Sequence, residues 1–320
     1  MQRSSIRAAS FLAILAAAAL VACSKTADAP AEAAAAPVAA PVAEAPPPAP
    51  TVENVHAFKI GELSAMALRD GDIDLPNDNK VFGLERTSED VAAVLSAAGQ
   101  PTDKLHLTIE PLLVKTTDRV LLFDTGAGSN FGPGAGMLGA SLTEAGVDPQ
   151  TVTDIFISHG HGDHIGGLVN AEGKLVFPNA TVHVSKPEWA AIAKDEQNAA
   201  LVAGVKPKLD AFKPGTELVP GVVQAVEIKG HTPGHSGYQI SSGQDSVLYV
   251  GDSMHHYVVS LQKPEWSMGF DGDKPMAAKS RAALIADSAA SGQRIYAVHF
   301  PFPGIGKFEK QGEGYVWVAE

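Results

Sequence analysis

Four potential metal ligands lie within six residues of the sequence, in the run His159-Gly-His161-Gly-Asp163-His164. The run follows Ile155–Ser158, whose apolar residues are typical of a buried strand. The two glycines between the ligands allow backbone angles that bulkier residues resist, and polar groups left unpaired are costly to bury. The spacing therefore predicts a metal-binding loop. Three histidines and a carboxylate exceed the needs of one tetrahedral zinc, so a second ion and further ligands are expected.

Further ligands are expected at the ends of other strands. A histidine that follows a strand is, taken alone, more often a hydrogen-bonded structural residue. Together with the histidine-rich loop, however, such residues would complete a two-metal site bridged by a carboxylate. The candidates that directly follow apolar segments are His231 and His235, Asp252, and His299.

Sheets covered by helices are the arrangement that these elements predict. Strand-like segments cover Val55–Ile60, Leu63–Leu68, His106–Lys115, Arg119–Phe123, Asp154–Ser158, Thr181–Val184, Val222–Ile228, Gly237–Ile240, Val247–Val250 and Arg294–Val298. Helix-like segments cover Ser88–Ala98, Gly136–Ala145, Pro187–Lys194 and Pro275–Ala290. The pattern alone leaves the order of the strands open.

Residues 1–22 are predicted to be a targeting signal, because two arginines precede an apolar run, Phe11–Ala22, that is shorter than a membrane span. The run ends in Leu20–Cys23, which resembles the lipobox of bacterial lipoproteins. The resemblance implies lipidation of Cys23 and, since Ser24 follows it, an exported lipoprotein on the periplasmic side of the outer membrane of a Gram-negative cell. A plain secretory signal with a coincidental cysteine is the alternative.

The rest of the chain divides by composition. Residues 23–50 are dominated by Ala, Pro, Glu and Val, which favours a disordered linker. Residues 51–320 are long enough for one domain with a full core. Cys23 is the only cysteine in the sequence, so an intramolecular disulfide and a thiolate-rich metal site are excluded. Any metal in the domain must be held by histidines and carboxylates.

The charge balance bears on partners. The formal net charge is −12, and removal of residues 1–22 takes away Arg3 and Arg7 but no acidic residue, which leaves −14. Such a balance argues against nucleic acid as a partner, since phosphate binding needs a concentrated positive face. A small-molecule substrate is expected. A homodimer is possible, but no interface pattern in the sequence indicates one.

The order of these motifs resembles that of the metallo-β-lactamase superfamily. The resemblance rests on the loop from His159 to His164, on Gly-His-Thr-Pro-Gly-His at 230–235, on Gly251-Asp252 and on the strand-end His299. It spans residues 55–320 and implies an α/β fold, a four-layer αβ/βα sandwich with the metals at one edge of two central sheets.

The resemblance also implies a role for each ligand. It assigns His159, His161 and His231 to the first metal, Asp163, His164 and His299 to the second, and Asp252 to a bridge between them. The implied cofactors are two divalent metal ions, with zinc as the expected metal. His235 would support the site without binding metal. Asp124 and Asp154 are candidates for carboxylates that orient the metal-binding histidines.

Within the superfamily, the sequence is closest in pattern to methyl parathion hydrolases and the exported quorum-quenching lactonases related to them. The features that carry this resemblance are Phe131–Pro133, Gly251–His255 and His299–Gly306. It implies an apolar pocket above the metals, lined by Phe131 and Trp189, with His255 facing the substrate where small lactonases have a tyrosine. Ordinary core packing is the alternative for Trp189. An aspartate at the bridging position excludes true β-lactamases, which carry Cys or His there.

The implied reaction is hydrolysis of a lactone or ester by a metal-bridging hydroxide, with acyl-homoserine lactones as the expected substrates. Asp252 would bridge the metals, and Asp163 would accept or pass a proton as the leaving group departs. Three alternatives stay open: an organophosphate triester hydrolase, a mononuclear iron persulfide dioxygenase, and a non-catalytic metal-binding lipoprotein.

Overall fold

The computed structural model describes residues 53–129 and 131–320. Its strands are β1 (Val55–Ile60), β2 (Leu63–Leu68), β3 (Gly71–Pro76), β4 (Lys104–Ile109), β5 (Leu112–Lys115), β6 (Val120–Phe123), β7 (Asp154–Phe156), β8 (Thr181–Ser185), β9 (Leu209–Phe212), β10 (Glu217–Val219), β11 (Val223–Glu227), β12 (Ser236–Ser242), β13 (Asp245–Tyr249), β14 (Arg294–Tyr296), β15 (Ile305–Gln311) and β16 (Gly314–Ala319). Its α-helices are α1 (Ser88–Ala97), α2 (Leu138–Glu144), α3 (Gly162–Ile165), α4 (Lys186–Lys194), α5 (Ala199–Val205), α6 (Val259–Gln262) and α7 (Lys274–Ser291).

Two seven-stranded sheets face each other across an apolar core. The first has the order β1-β2-β5-β6-β7-β8-β9, and the second has the order β10-β11-β12-β13-β14-β15-β16. A separate two-stranded antiparallel sheet of β3 and β4 completes the described strands. Pairing is parallel from β6 to β9 and between β13 and β14. The carboxyl ends of those parallel strands therefore meet at one edge of each sheet.

Alternation along the strands explains the layers. On β6, Leu121 and Phe123 point into the core between the sheets, whereas Leu122 packs on the outer side with residues of α2, α4 and α5. The second sheet is covered in the same way, because Ile285 of α7 packs with Leu248 on its outer face. Strands that are buried on both faces are apolar at successive positions, as β6 is. The result is the four-layer αβ/βα sandwich that the sequence predicts.

The structure corrects the predicted strand His106–Lys115. Its first part is β4, which pairs with β3, and its last part is β5, which lies in the first sheet. The break falls at Glu110 and Pro111, and proline interrupts a sheet because it has no N–H to donate. The sequence pattern does not predict strands β3, β9, β10, β15 and β16. These strands carry charged or glycine-rich stretches that weaken the β pattern.

The predictions for the targeting signal, the lipidated Cys23 and the linker concern residues outside the described part of the chain. Among the described residues, no helix has the length and apolar character needed to cross a membrane.

Candidate metal centre

The first ligand group consists of His159, His161, His231 and Asp252. His159 and His161 lie in the loop after β7, and His231 follows β11. His159 Nε2 lies 2.9 Å from His161 Nδ1, and His231 Nε2 lies 3.2 and 3.0 Å from these two nitrogens. Asp252 Oδ2 lies 3.4 Å from His231 Nε2. Three ring nitrogens and one carboxylate oxygen thus converge on one point.

The second ligand group consists of Asp163, His164 and His299. The first two lie on the short helix α3, and His299 follows β14. Asp163 Oδ2 lies 3.6 Å from His164 Nε2 and 3.5 Å from His299 Nε2. Asp252 Oδ1 lies 3.1 Å from each of the same two nitrogens. One oxygen of Asp252 therefore faces each ligand group, as the bridging prediction requires.

The donor atoms fit a pair of divalent cations. His164 Nε2 and Asp252 Oδ1 are buried and have no hydrogen-bond partner among the described residues. Buried polar atoms are nearly always satisfied in folded proteins, so two such atoms in one cluster fit the role of metal ligands. Imidazole nitrogens and carboxylate oxygens form the set that zinc and similar cations accept.

The two groups differ in their electrostatics. Burial holds the pKa of His159 well below its ordinary value and lowers that of His231 to about 4. Both rings are therefore neutral at pH 7, which is the form that ligates metal. In the second group, burial alone would lower the pKa of His164, but Asp252 and nearby carboxylates raise it well above its ordinary value. An excess of negative charge surrounds this group, and a cation would balance it.

Asp163 is ionised in this environment. Its burial opposes ionisation, but His164 and His299 lower the pKa of its carboxyl to about 2. The carboxylate also lines the pocket described below, so it can receive a proton there at neutral pH.

Asp124 supports the second group. Its Oδ2 accepts hydrogen bonds from His164 Nδ1 at 2.7 Å, from Ser158 Oγ at 2.6 Å and from Tyr249 Oη at 2.7 Å. Asp124 is fully buried and has a left-handed backbone angle (φ 56°) at the end of β6. Such strained positions cluster at functional sites. The structure therefore places Asp124 where a carboxylate that orients a ligand was expected.

Asp154 does not reach the site, which corrects the corresponding expectation. It begins β7, at the end of the strand away from the ligand loop. Its carboxylate pairs with Arg119 Nη1 at 3.1 Å and with His183 Nε2 at 3.0 Å. The ring of His299 is oriented by a backbone group instead, since its Nδ1 donates to the carbonyl of Thr108 at 2.6 Å.

His235 lies behind Asp252 and has both ring nitrogens engaged. Its Nδ1 donates to the carbonyl of Ile228 at 3.1 Å, and its Nε2 accepts from the backbone N–H of Asp252 at 2.9 Å. Burial lowers the pKa of His235 to about 3, which keeps Nε2 free to accept. The ring fixes the backbone of the bridging residue and belongs to neither ligand group.

Glu188 joins two ligand loops and was not found from the sequence. Its Oε1 accepts from Gly160 N at 2.8 Å, and its Oε2 accepts from Thr232 Oγ1 at 2.7 Å and from Gly234 N at 2.8 Å. A Cβ on Gly234 would lie 2.3 Å from the backbone nitrogen of Glu188, so glycine is required at this close approach. The glycine spacing in both motifs is the only sequence signal of a partner that packs there.

Asp271 was also missed by the sequence analysis. It is buried, and its Oδ1 accepts a hydrogen bond from His231 Nδ1 at 2.9 Å. The residue lies in the loop before α7, between Phe270 and a glycine, where an acidic residue reads as an ordinary turn former. No local pattern marks it.

An open pocket of about 370 Å³ lies above both ligand groups. Asp163, Asp252 and His299 form part of its lining, and its walls are formed by Ile73, Leu75, Leu107, Phe131 and Phe270. Phe131 and Phe270 are 43% and 40% exposed, so they stand at the rim. A small apolar molecule with a polar reacting group matches this shape.

The structure brings two of the three predicted pocket residues to this place. Phe131 and His255 line it. His255 is buried, and neither ring nitrogen has a partner with hydrogen-bond geometry among the described residues. Trp189 is the exception, because it lies on α4 and packs against the apolar cluster outside the first sheet. Core packing, the alternative reading, accounts for it.

A family model described as the metallo-beta-lactamase superfamily matches residues 111–299. Among curated proteins, a probable metallo-hydrolase of Mycobacterium tuberculosis is 27% identical over 195 residues, which cover 48% of this chain and 58% of the relative. An N-acyl homoserine lactonase of a Bacillus species is 23% identical over 202 residues, 57% of this chain and 77% of the relative.

Two solved structures share the fold over most of this chain. AidC, described as a dizinc quorum-quenching lactonase, is 30% identical with a TM-score of 0.78, covering 83% of this chain and 97% of AidC. AbOPH, described as a hydrolase in the beta lactamase superfamily, is 28% identical with a TM-score of 0.77, covering 84% of this chain and 98% of AbOPH.

Proposed function

This chain belongs to the metallo-β-lactamase superfamily, and we propose that it is a metal-dependent hydrolase, a dizinc lactonase acting on N-acyl homoserine lactones. The observation that carries the proposal is the position of Asp252, which presents one carboxylate oxygen to each ligand group at the base of an apolar pocket. The likeness to AidC supports the substrate class.

Ring opening of a lactone would require both metal ligands and a proton-transferring side chain. When bound, the two cations would supply Lewis acidity and an activated water. Asp252 and the six other ligands would hold the two ions under the pocket. Asp163, ionised and lining the pocket, would accept a proton from the attacking water and pass it to the ring oxygen as the C–O bond of the lactone breaks. The product is a hydroxy acid.

The pocket explains why an acylated lactone fits. Its apolar walls at Ile73, Leu75 and Phe270 can cover an aliphatic chain and exclude water from it. His255 lines the pocket with its Nε2 3.2 Å from Asp252 Oδ2, so its ring can hydrogen-bond the substrate's carbonyl oxygen beside the bridging carboxylate. Replacement of His255 by Gln should lower kcat/KM for lactones roughly tenfold, the effect of one lost hydrogen bond. The matched control is His183→Gln, which alters a buried histidine outside the site.

The test is a hydrolysis panel on the full chain loaded with zinc. We expect N-acyl homoserine lactones to give a higher kcat/KM than aryl phosphotriesters or β-lactams. Faster turnover of phosphotriesters would identify the organophosphate hydrolase instead. Oxygen uptake with one bound iron would identify the persulfide dioxygenase, and bound metal without any turnover would identify a metal-binding protein.

Export is a separate proposal, and Cys23 carries it. We propose that this cysteine is lipidated and that the enzyme acts at the periplasmic side of the outer membrane, where diffusible lactones pass. Incorporation of radiolabelled palmitate into the full chain, but not into Cys23→Ser, is the expected result. Equal labelling of both chains would contradict it.

A further inference from the structure

Arg281 lies on α7 and is completely buried. Its Nε donates to the carbonyl of Pro264 at 3.0 Å, and its Nη2 donates to the carbonyl of Trp266 at 3.1 Å. Its Nη1 reaches the carbonyl of Ser253 at 3.4 Å and Asp271 Oδ2 at 3.3 Å. Removing a guanidinium from water is costly, so each of these four contacts contributes to holding it there.

Asp271 connects this arginine to the metal centre. One carboxylate oxygen faces Arg281, and the other accepts from His231 Nδ1. With both oxygens held, the carboxylate cannot rotate. The proton of His231 is then fixed on Nδ1, and the lone pair of Nε2 points at the first ligand group. Carboxylates that orient metal-binding histidines act in this way.

We propose that Arg281 is a positioning residue that acts through Asp271 to fix His231, and that it supports the first ligand group selectively. Arg281 contacts no support of the second group, where His164 relies on Asp124 and His299 relies on the carbonyl of Thr108. Asp124 reaches the first group only indirectly, through Ser158 Oγ, which lies 3.0 Å from His159 Nδ1. This inference rests on metal binding by the first group, as proposed above, but not on the identity of the substrate.

A purely structural role for Arg281 is the alternative, since the arginine also ties the 264–266 loop to α7. Arg294 provides a matched control for that role. It pairs with Asp245 at 2.9 Å and with Glu320 at 2.6 Å, donates to the carbonyl of Lys59 at 3.0 Å, and contacts no ligand of either group.

The experiment compares Arg281→Met, Arg281→Lys and Arg294→Lys in the full chain. Zinc affinity of each site is measured by competition with a chelator. In Arg281→Met the first site should weaken about 10- to 100-fold, as expected when an outer-shell partner of a metal ligand is lost, while the second site keeps its affinity. Arg281→Lys retains the charge but not the planar fork, so an intermediate loss is expected. Arg294→Lys should leave both affinities unchanged.

A second measurement on the metal-free protein keeps the inference testable if a variant binds zinc poorly for other reasons. The exchange rate of the His231 Nδ1 proton is followed by NMR with ¹⁵N-labelled histidine, and both Arg281 variants and Asp271→Asn should accelerate it. If the Arg281 variants lose thermal stability but keep this exchange rate and both zinc affinities, the arginine is structural and the inference is wrong. If affinities change as expected but lactones are not hydrolysed, the inference stands and the proposed function fails.

Discussion

The two ligand groups of the metal centre are supported in different ways. His231 in the first group is oriented by Asp271, whose other oxygen faces the buried Arg281. His164 in the second group donates to Asp124 Oδ2. The same oxygen also accepts from the hydroxyl groups of Ser158 and Tyr249. The first group thus depends on the ion pair between Asp271 and Arg281 of α7. The second group depends on hydrogen bonds to Asp124.

Because their supports differ, the two ligand groups can respond separately to substitution. Ion pairs that are buried leave an uncompensated charge when one partner is removed. Each hydrogen bond to a hydroxyl group contributes less free energy, and the loss of one leaves the others in place. Asp252 presents an oxygen to each group, so its replacement should weaken both sites together.

The largest effect is expected from Asp252→Asn. An amide keeps one carbonyl oxygen and removes the negative charge, so both sites should lose zinc and kcat/KM should fall by at least about 100-fold, the upper cost of losing even an outer-shell partner. Metal analysis and lactone turnover measure this. Asp210→Asn, which removes an exposed carboxylate beside His183, is the control. Retention of two zinc ions and full activity would disprove the bridge.

The next effect is expected from Asp124→Asn, which should weaken the second site by about 10- to 100-fold. The first site should weaken less, because Asp124 reaches it only through Ser158 Oγ, which lies 3.0 Å from His159 Nδ1. The amide cannot accept from His164, Ser158 and Tyr249 through one oxygen and also bind Ser158 N through the other. Tyr249→Phe removes one of these hydrogen bonds and should cost about 1 kcal/mol of stability. Equal weakening of both sites in chelator competition would show that the supports are not separate.

A smaller effect is expected from Glu188→Gln, which changes the contact between the two histidine loops of the first group. The amide nitrogen must face one of the three donors that the carboxylate accepts. We expect a loss of about 1–3 kcal/mol of stability from the unsatisfied donor and weaker zinc binding at the first site only. Chemical denaturation and chelator competition measure the two effects. A loss confined to the second site would contradict the assignment.

The smallest effect, and one independent of metal, is expected from Glu110→Gln. Glu110 lies two residues after Thr108, and burial raises the pKa of its carboxyl well above the ordinary value. A folded pKa above the unfolded one means that the fold favours the protonated acid. Its contribution to stability is complete below the unfolded pKa and is lost as the pH rises through the folded pKa.

Glutamine stays neutral, so Glu110→Gln should become more stable relative to the natural chain as the pH rises from 5 to 8. Denaturant unfolding of the metal-free protein at both values measures the difference. Since the residue lies on the side of the second group's His299, zinc affinity at the first site should not change. A difference in stability that is independent of pH would show that Glu110 is ionised in the fold.

The parts that sequence could predict are those with a local pattern. The loop from His159 to His164 is contiguous, and the apolar strands before His231, Asp252 and His299 mark those residues. The strand and helix patterns predict only sheets covered by helices, and the four layers are implied by the family resemblance. The structure adds the reason, since strands such as β6 are apolar on both faces.

The parts that sequence could not predict depend on tertiary packing. Asp271, Glu188 and Arg281 are single charged residues on a loop or helix, and only the folded chain brings them to the ligands. Asp124 and Asp154 are both aspartates next to an apolar strand. Asp124 follows β6, whereas Asp154 begins β7 and therefore lies away from the ligands. Trp189 shows the same limit, because helical periodicity does not distinguish a pocket wall from a core contact.

The central claim, a lactonase whose two metal sites share Asp252, is tested most directly by titrating the metal-free full chain with zinc while following lactone hydrolysis. The rate of hydrolysis of an N-acyl homoserine lactone should rise until two equivalents of zinc are bound and then stay constant. Saturation at one equivalent, or no lactone hydrolysis at any zinc concentration, would contradict it.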